Sequence, residues 1–319
     1  MPNWYPLRFT PILKEKIWGG HKLFTHFGKT DKKGNYGESW EVSTLTEGES
    51  IVANGILKGH SFKSLCKEYP ETLLGDVDSC DPFPLLIKII DAAQDLSIQL
   101  HPDDQLAQEK HKCLGKTEMW YILKADPGAQ IAIGFNKTMT PAQFDEAIVN
   151  NQLESVLNYI DVTAGDAFFV NAGTIHAIGK GVVLAEIQQA SDITYRVFDY
   201  NRKQTDGTLR ELHLAETKIA IQFNTPDFEL KIDNEKKGVQ PLKHTPFFKT
   251  DIVHISRQEA FTVPHHNTFS IIIVVRGSIT IQYKEHTEDL TIGQTLFIPA
   301  ACHPVAIVET EAAFLQVYL

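Results

Sequence analysis

Nowhere in these 319 residues does an uncharged apolar run approach the ~20 residues that cross a bilayer. The segment Met1–Gly20 has no basic flank leading into a continuous apolar stretch, so it does not read as a secretory leader. A soluble, cytoplasmic protein is expected, with no membrane partner. Cysteine is scarce: Cys66, Cys80, Cys113 and Cys302 are scattered without a C-x-x-C pair. That argues against a disulfide framework and fits a reducing compartment. Basic charge is in deficit, with 30 Lys and Arg against 40 Asp and Glu and a formal charge of -10. Nonspecific nucleic-acid binding needs clustered cations to replace phosphate counterions and is disfavoured. An anionic substrate would have to be met by local cations.

Several chemical signatures are missing as well. Neither G-x-x-x-x-G-K-[ST] nor G-x-G-x-x-G occurs, and Gly179-Lys-Gly181 lies between β-type segments rather than opening a helix. G-x-S-x-G is absent and no cysteine stands in a nucleophile setting, so covalent acyl transfer has little support. His265 and His266 are adjacent, which in extended chain sends them to opposite faces. They read as surface residues.

What remains is an ordinary globular composition, 43% apolar and 22% charged, in a chain long enough for two domains. Short β-branched and aromatic runs separated by Gly, Pro, Asn or Asp dominate: 50–57, 85–91, 96–100, 119–124, 131–135, 166–170, 182–188, 193–198, 269–275, 278–283 and 294–299. They predict a mainly β protein of sandwich or barrel type. Helices are expected over 61–74, 141–157 and 209–219, the second capped by Thr140 with Pro141 at its first position.

A weak repeat organises the chain. Gly165-Asp-Ala-Phe-Phe-Val-Asn-Ala-Gly-Thr-Ile-His176 aligns with Gly293-Gln-Thr-Leu-Phe-Ile-Pro-Ala-Ala-Cys-His303, one residue shorter. In each, a Gly turn precedes an apolar strand, a small-residue turn and a His. The elements 119–124 with 131–135 are echoed by 271–275 with 279–283. Two duplicated small barrels account for this better than one long sheet. The boundary is expected near residue 235, within 222–249, where Asn224-Thr-Pro226-Asp, the charged run 231–237, Pro241 and Pro246 interrupt periodicity. This divides the chain into 1–235 and 236–319.

Polar residues interrupt apolar strands at a few inward positions. Gln99 and His101 are two apart and share a face; Lys116 and Glu118 do likewise, and His176 ends the element after the Gly165 turn. Each alone has a plain alternative: a strand-end His is usually structural or solvated, and Glu beside Lys is usually a surface pair. Together they form a sulfur-free set of one Gln, two His and one Glu, suited to a catalytic zinc with an open position. The same donors admit manganese, iron, nickel or cobalt. Downstream, Glu186 and Arg196 could face each other across a hairpin turning at 189–192, as site residues or as a cross-strand ion pair.

In these residues the sequence resembles the type I mannose-6-phosphate isomerases, in the short form common in bacteria. The matching segments are Trp18-Gly19-Gly20, Gly37-Glu-Ser-Trp-Glu-Val-Ser43, Pro84-Leu-Leu-Ile-Lys-Ile-Ile90, Leu96-Ser-Ile-Gln-Leu-His-Pro-Asp-Asp104, Gly115-Lys-Thr-Glu-Met-Trp-Tyr121, Gly173-Thr-Ile-His-Ala177, Glu186-Ile-Gln-Gln-Ala-Ser-Asp192 and Thr194-Tyr-Arg-Val-Phe-Asp199. They run in order through about two thirds of the chain.

The resemblance implies two cupin-like (jelly-roll) β-barrels with a few short helices, and interconversion of mannose 6-phosphate and fructose 6-phosphate through a cis-enediol. It matches Gln99, His101, Glu118 and His176 to the ligands of one zinc ion per chain, with some short-form sites using only the last three. It implies catalytic importance for Arg196, places Glu186, Lys116 and Lys88 in or near the site, and sets Ser97 near the substrate phosphate. Lys88 and Ser97 are expected to bind substrate. The chain has no room for the long helical insertion of larger members, so phosphate contacts made there do not carry over. No counterpart of Glu118 or of Gln-x-His is found in the second barrel, which is expected to lack a metal. Two rivals stand beside this reading: a cupin-type sugar-binding or regulatory protein with a structural metal, and a cupin dioxygenase, which needs redox-active iron or copper.

Overall fold

The computed structural model describes residues 2–77, 83–204, 206–224, 227–256, 260–308 and 311–319. Its central strands, Leu85–Asp91, Val182–Gln189 and Glu118–Ala125, read as nearly unbroken apolar runs because both faces of their sheet are covered. That sheet has seven strands in the spatial order Ile12–Gly20, Tyr36–Val42, Leu85–Asp91, Val182–Gln189, Glu118–Ala125, Ala167–Val170, Glu229–Leu230. On one face Ile87, Ile89, Met119, Tyr121 and Ile187 join a core shared with Phe269, Phe297 and Leu315 of the C-terminal half. On the other, Ile90, Trp120, Ile122 and Leu184 pack against Ile131, Ile133 and Ile178.

Those last residues belong to a second sheet, in the order Tyr195–Phe198, Ile98–Leu100, His176–Ile178, Gln130–Phe135, Leu157–Asp161. Its outer face carries the helices Pro141–Val149 and Leu153–Val156, through Phe144, Ala147 and Leu153. Thr140 caps the first of these with a full capping box and Pro141 at the start.

The C-terminal half repeats most of this plan, without counterparts of Ile12–Gly20, Glu229–Leu230 and Tyr195–Phe198 among the described strands. Gly238–His244, Lys249–Ile255, Ala312–Tyr318, Ser270–Arg276 and Thr295–Ile298 follow the spatial order of Tyr36–Val42, Leu85–Asp91, Val182–Gln189, Glu118–Ala125 and Ala167–Val170. Phe261–Thr262, Ala306–Val308, Ser278–Tyr283 and His286–Thr291 do the same for the second sheet. The repeat glycines Gly165 and Gly293 both have positive φ, 103° and 81°, which explains why glycine recurs there. Register also identifies what differs: Val170 lies opposite Glu118, whereas Ile298 lies opposite Ser270.

Several local expectations need correction. Residues 50–57 form isolated bridges at Ile51 and Val52 rather than a strand, because turns follow at once. The helix expected over 61–74 is two, Phe62–Glu68 and Pro70–Leu74, since Pro70 begins a new first turn. The helix at 141–157 breaks at Asn151, which has a φ of 55°, and Leu157 already opens a strand. Only Leu214–Ala220 is helical in 209–219. Cys80 and part of the Asn224-Thr-Pro226-Asp stretch lie outside the described residues.

The two halves are stitched together by polar as well as apolar contacts. Leu7 exchanges backbone hydrogen bonds with Phe297, at 2.7 and 3.0 Å. Lys29 Nζ donates to Glu41 Oε2 at 2.7 Å and to the Gly293 carbonyl at 2.6 Å, and Ser39 Oγ donates to Glu41 Oε1 at 2.6 Å. Both ion-pair side chains are buried. Removing one partner of such a pair leaves an uncompensated buried charge. Lys29→Met is expected to lower the free energy of unfolding by about 3–5 kcal/mol, read from denaturant titration against the parent chain.

Candidate metal and active site

His101, Glu118 and His176 come together although they lie in three segments: the residue after strand Ile98–Leu100, the first residue of Glu118–Ala125, and the first of His176–Ile178. One donor atom from each lies within 4.8 Å of the others, and all three residues are buried. Glu118 carboxylate oxygens stand 3.6 Å from His101 Nε2 and 3.5 Å from His176 Nε2.

The hydrogen bonding of these groups fits a cation. His101 Nδ1 contacts the Ile193 carbonyl at 2.8 Å and His176 Nδ1 the Thr174 carbonyl at 2.9 Å. An imidazole donating from Nδ1 to a carbonyl presents a bare Nε2 inward, the usual support for a metal-ligating histidine. Burial, then Lys116 and His176, holds His101 well below its ordinary value, and burial brings His176 down to about 4, so both rings are neutral donors at pH 7. Both Glu118 oxygens and His101 Nε2 are buried without a hydrogen-bond partner. Such orphaned atoms are costly unless something else satisfies them. The trio could hold a metal ion.

Gln99 stands beside the trio, paired in register with His176. Its Oε1 accepts from Ser97 Oγ at 3.2 Å, while its Nε2 faces His176 Nε2 at 3.5 Å. A half turn of the amide would present the oxygen instead.

A cavity of about 390 Å³ opens next to this group, lined by Gln99, Ser97, Lys88, Lys116, Glu186 and Arg196 among others. Lys116 Nζ lies 3.0 Å from Glu118 Oε2 and 3.9 Å from Glu186 Oε2. Lys88 Nζ lies 3.4 Å from Glu186 Oε2 and 3.5 Å from Asp192 Oδ1. Glu186 Oε1 accepts from the Trp120 indole at 3.3 Å, and its Oε2 has no hydrogen-bond partner. Arg196 Nη1 donates to the Glu211 carbonyl at 2.9 Å, while its Nε is buried and unpartnered.

Glu186 and Arg196 do not form the expected hairpin pair. Val182–Gln189 runs in the first sheet, where Glu186 lies between Lys88 and Trp120, and Tyr195–Phe198 is the edge of the second, where Arg196 lies opposite Gln99. The cavity brings them together from opposite walls. Lys16, Glu38, Arg210, His111 and His213 also line it and carry no role in the sequence reading. For Glu38 a signal was present: it falls within Gly37-Glu-Ser-Trp-Glu-Val-Ser43, one of the segments that carry the family resemblance.

Two carboxylates of this cavity are driven apart. Burial pushes Glu38 up, but Lys88, Lys16 and the Trp40 indole outweigh it and hold Glu38 at about 2. Burial, Glu118 and Glu38 push Glu186 up against the pull of Lys116 and Lys88.

The family model for the catalytic domain of type I phosphomannose isomerases matches residues 7–139. The mannose-6-phosphate isomerase ManA of Bacillus subtilis is 44% identical over 298 residues, spanning 92% of this chain and 93% of its own. A mannose-6-phosphate isomerase of Streptococcus mutans is 35% identical over 296 residues, 92% of both chains. The crystal structure of mannose 6-phosphate isomerase from Bacillus subtilis superposes with a TM-score of 0.89 at 33% identity, covering 99% of this chain and all of that one.

The buried imidazoles predict acid lability of the metal-free protein. His176 passes from an ordinary value of 6.5 unfolded to about 4 folded, so unfolding takes up a proton between those values. Its contribution is lost as pH falls through that window, and Glu38 adds a second loss between 4.5 and about 2. Glu186, raised on folding, opposes both. The denaturant midpoint of chelated protein is expected to fall from about pH 7 to about pH 4, with ~1.4 kcal/mol lost per unit of each uncompensated shift. A flat profile would show that the imidazoles are not held neutral.

Proposed function

Since this chain belongs to the type I phosphomannose isomerase family, we propose that it interconverts mannose 6-phosphate and fructose 6-phosphate with one zinc ion held by His101, Glu118 and His176, joined by Gln99. The observation that carries the reading is the set of buried, unpartnered Nε2 and carboxylate atoms opening onto a charged cavity. Zinc bound there supplies a Lewis acid to polarise the substrate's carbonyl and neighbouring hydroxyl oxygens.

The protein's own groups do the rest. Isomerisation moves one proton between C2 and C1 and a second between O2 and O1 while negative charge develops on oxygen, so a base and cationic stabilisers are needed at once. Glu186 takes the proton from C2 of the aldose and returns it to C1: its Oε2 is free of hydrogen bonds and its proton affinity is raised by burial. Arg196 stabilises the cis-enediol intermediate from the opposite wall, and Lys116 assists beside Glu118. Lys88 and Ser97, both in the cavity lining, bind substrate oxygens. Residues 1–235 form the catalytic unit in this reading, and 236–319 a supporting unit without a metal site. The setting is cytoplasmic; no helix of the described chain is long and apolar enough to cross a membrane.

A coupled assay for fructose 6-phosphate tests reaction and metal together. Activity should vanish on chelation and return with zinc; folded, metal-loaded protein without turnover would favour a sugar-binding protein. Glu186→Gln is expected to lower kcat by about 10²–10⁴-fold, the usual contribution of a general base, with KM nearly unchanged. Near-normal turnover would exclude Glu186 as the base.

A further inference from the structure

The cations around the cavity are not balanced alike. On its floor, supplied by the seven-stranded sheet and the segment leading into one of its strands, each ammonium has carboxylates within ion-pair distance: Lys16 with Glu38 at 3.0 Å, Lys88 with Glu186 and Asp192 at 3.4 and 3.5 Å, Lys116 with Glu118 and Glu186 at 3.0 and 3.9 Å. At the edge of the second sheet, three guanidinium groups share one carboxylate. Arg202 and Arg210 both pair with Asp199, and Arg196 has no ion-pair partner among the described residues. Three guanidiniums against one carboxylate leave this wall a surplus of two positive charges, in a chain whose formal charge is -10.

The donors on this wall are fixed and unspent. His176 is paired in register with Gln99, and Gln99 with Arg196. The Arg196 amide in turn donates to His213 Nδ1 at 3.2 Å, and the His213 amide donates to the Arg196 carbonyl at 2.8 Å. His213 is thus the outermost of a row that starts at a candidate metal ligand, three steps of ~4.8 Å away along the sheet. A backbone amide can only donate, so Nδ1 is the acceptor and the ring's hydrogen lies on Nε2, which has no hydrogen-bond partner among the described residues. Arg210 donates through Nε and Nη2 to the two oxygens of Asp199, the planar two-point contact that fixes a guanidinium, and keeps Nη1 free. Asp199 is buried and also accepts from Arg202 Nη2. The turn that brings Arg202 back onto Asp199 passes through Tyr200 and Asn201 at φ of 54° and 52°, two consecutive left-handed residues, a costly conformation for Tyr. Arg196, Arg210 and His213 all line the cavity, and Arg196 Nε is buried without a partner. Together the three offer N–H donors only.

We propose that Arg210 and His213 receive the phosphate of the substrate, with Asp199, itself held by Arg202, as the positioning residue that aims the Arg210 guanidinium. The inference rests on the sugar-phosphate reading of the cavity and deepens it. C1 and C2 stand at the His101, Glu118 and His176 end, and the dianion at the other end of the sugar meets a wall with cations to spare. Lys88 is engaged by Glu186 and Asp192, and Ser97 by Gln99, which leaves these two to oxygens of the sugar chain.

Two measurements on the full chain test this. Calorimetric titration with inorganic phosphate should give affinities within about threefold of each other for zinc-loaded and chelated protein. Binding lost on chelation would place phosphate on the metal and overturn the inference. In the coupled assay on zinc-loaded protein, Arg210→Gln is expected to raise KM for mannose 6-phosphate about 10–100-fold while kcat falls less than about threefold, the mark of a group bound alike in ground and transition states. Its affinity for inorganic phosphate should weaken by a similar factor. Asp199 keeps Arg202 in that variant, so no buried carboxylate is stranded. His213→Ala leaves the ion pairs untouched and should raise KM about 3–10-fold, which decides the matter if Arg210→Gln does not fold. Asp199→Asn should raise KM in the parent chain but by less than about twofold once Arg210 is replaced, whereas a merely structural Asp199 would cost the same in both backgrounds. Unchanged KM and phosphate affinity in Arg210→Gln, or an effect confined to kcat, would overturn the inference. Absence of turnover in the folded, zinc-loaded parent defeats the isomerase reading, while the phosphate titrations still decide the seat. Normal parent turnover with phosphate binding indifferent to Arg210→Gln defeats the seat alone.

Discussion

Charges on the inner face of a sheet covered on both sides must satisfy one another, and the rest of this structure follows from that constraint. Lys88, Glu186 and Lys116 are each no more than 5% exposed, so none can rely on water. Isolated buried charges are prohibitively costly, but an alternating row in which every ammonium sits between carboxylates is not. The row ends at Glu118, which has two neutral imidazoles and no hydrogen-bond donor of its own apart from the nearby ammonium. A metal ion held there would complete the alternation, which makes this candidate position the last site of a charge pattern set by the whole floor.

The second half of the chain makes this floor possible. Its core and the outer face of the seven-stranded sheet are one continuous cluster, and the Lys29–Glu41–Gly293 connection ties the strand that carries Glu38 to the turn that begins the repeat. The two halves share one strand order and differ where Glu118 stands. In the first the strand position opposite Val170 holds Glu118; in the second the position opposite Ile298 holds Ser270, whose hydroxyl accepts from Gln316 at 2.9 Å. At that position the second copy has a neutral hydroxyl hydrogen-bonded to Gln316 in place of a carboxylate.

Strand character was legible because apolar runs bounded by Gly and Pro admit few alternatives, and the repeat was legible because Gly165 and Gly293 need a backbone that other residues avoid. The buried trio could be read because His101, Glu118 and His176 break apolar surroundings at inward positions, with Gln99 beside them. Pairing was not legible. Glu186 and Arg196 are ten residues apart and suggest a hairpin, yet the intervening chain passes from one sheet to the other. Helix ends went astray where a left-handed Asn151 or a mid-segment Pro70 decided the outcome locally. Lys16, Arg210 and His213 line the cavity but stand outside the motifs read from the sequence, and only three-dimensional proximity gives them meaning.

Glu38 and Glu186 share neighbours and differ in fate. Both are buried, and both lie near Lys88. Glu38 has a second cation in Lys16, an indole donor at hydrogen-bond distance, and its carboxyl is held at about 2; it is a permanent anion with nothing left to accept. Glu186 has two cations at longer range, but Glu118 and Glu38 as like-charged neighbours, so its proton affinity rises and one oxygen stays open. Environments that separate the proton affinities of paired carboxylates separate their roles. One carboxylate can then only orient charge, and the other is left able to move a proton.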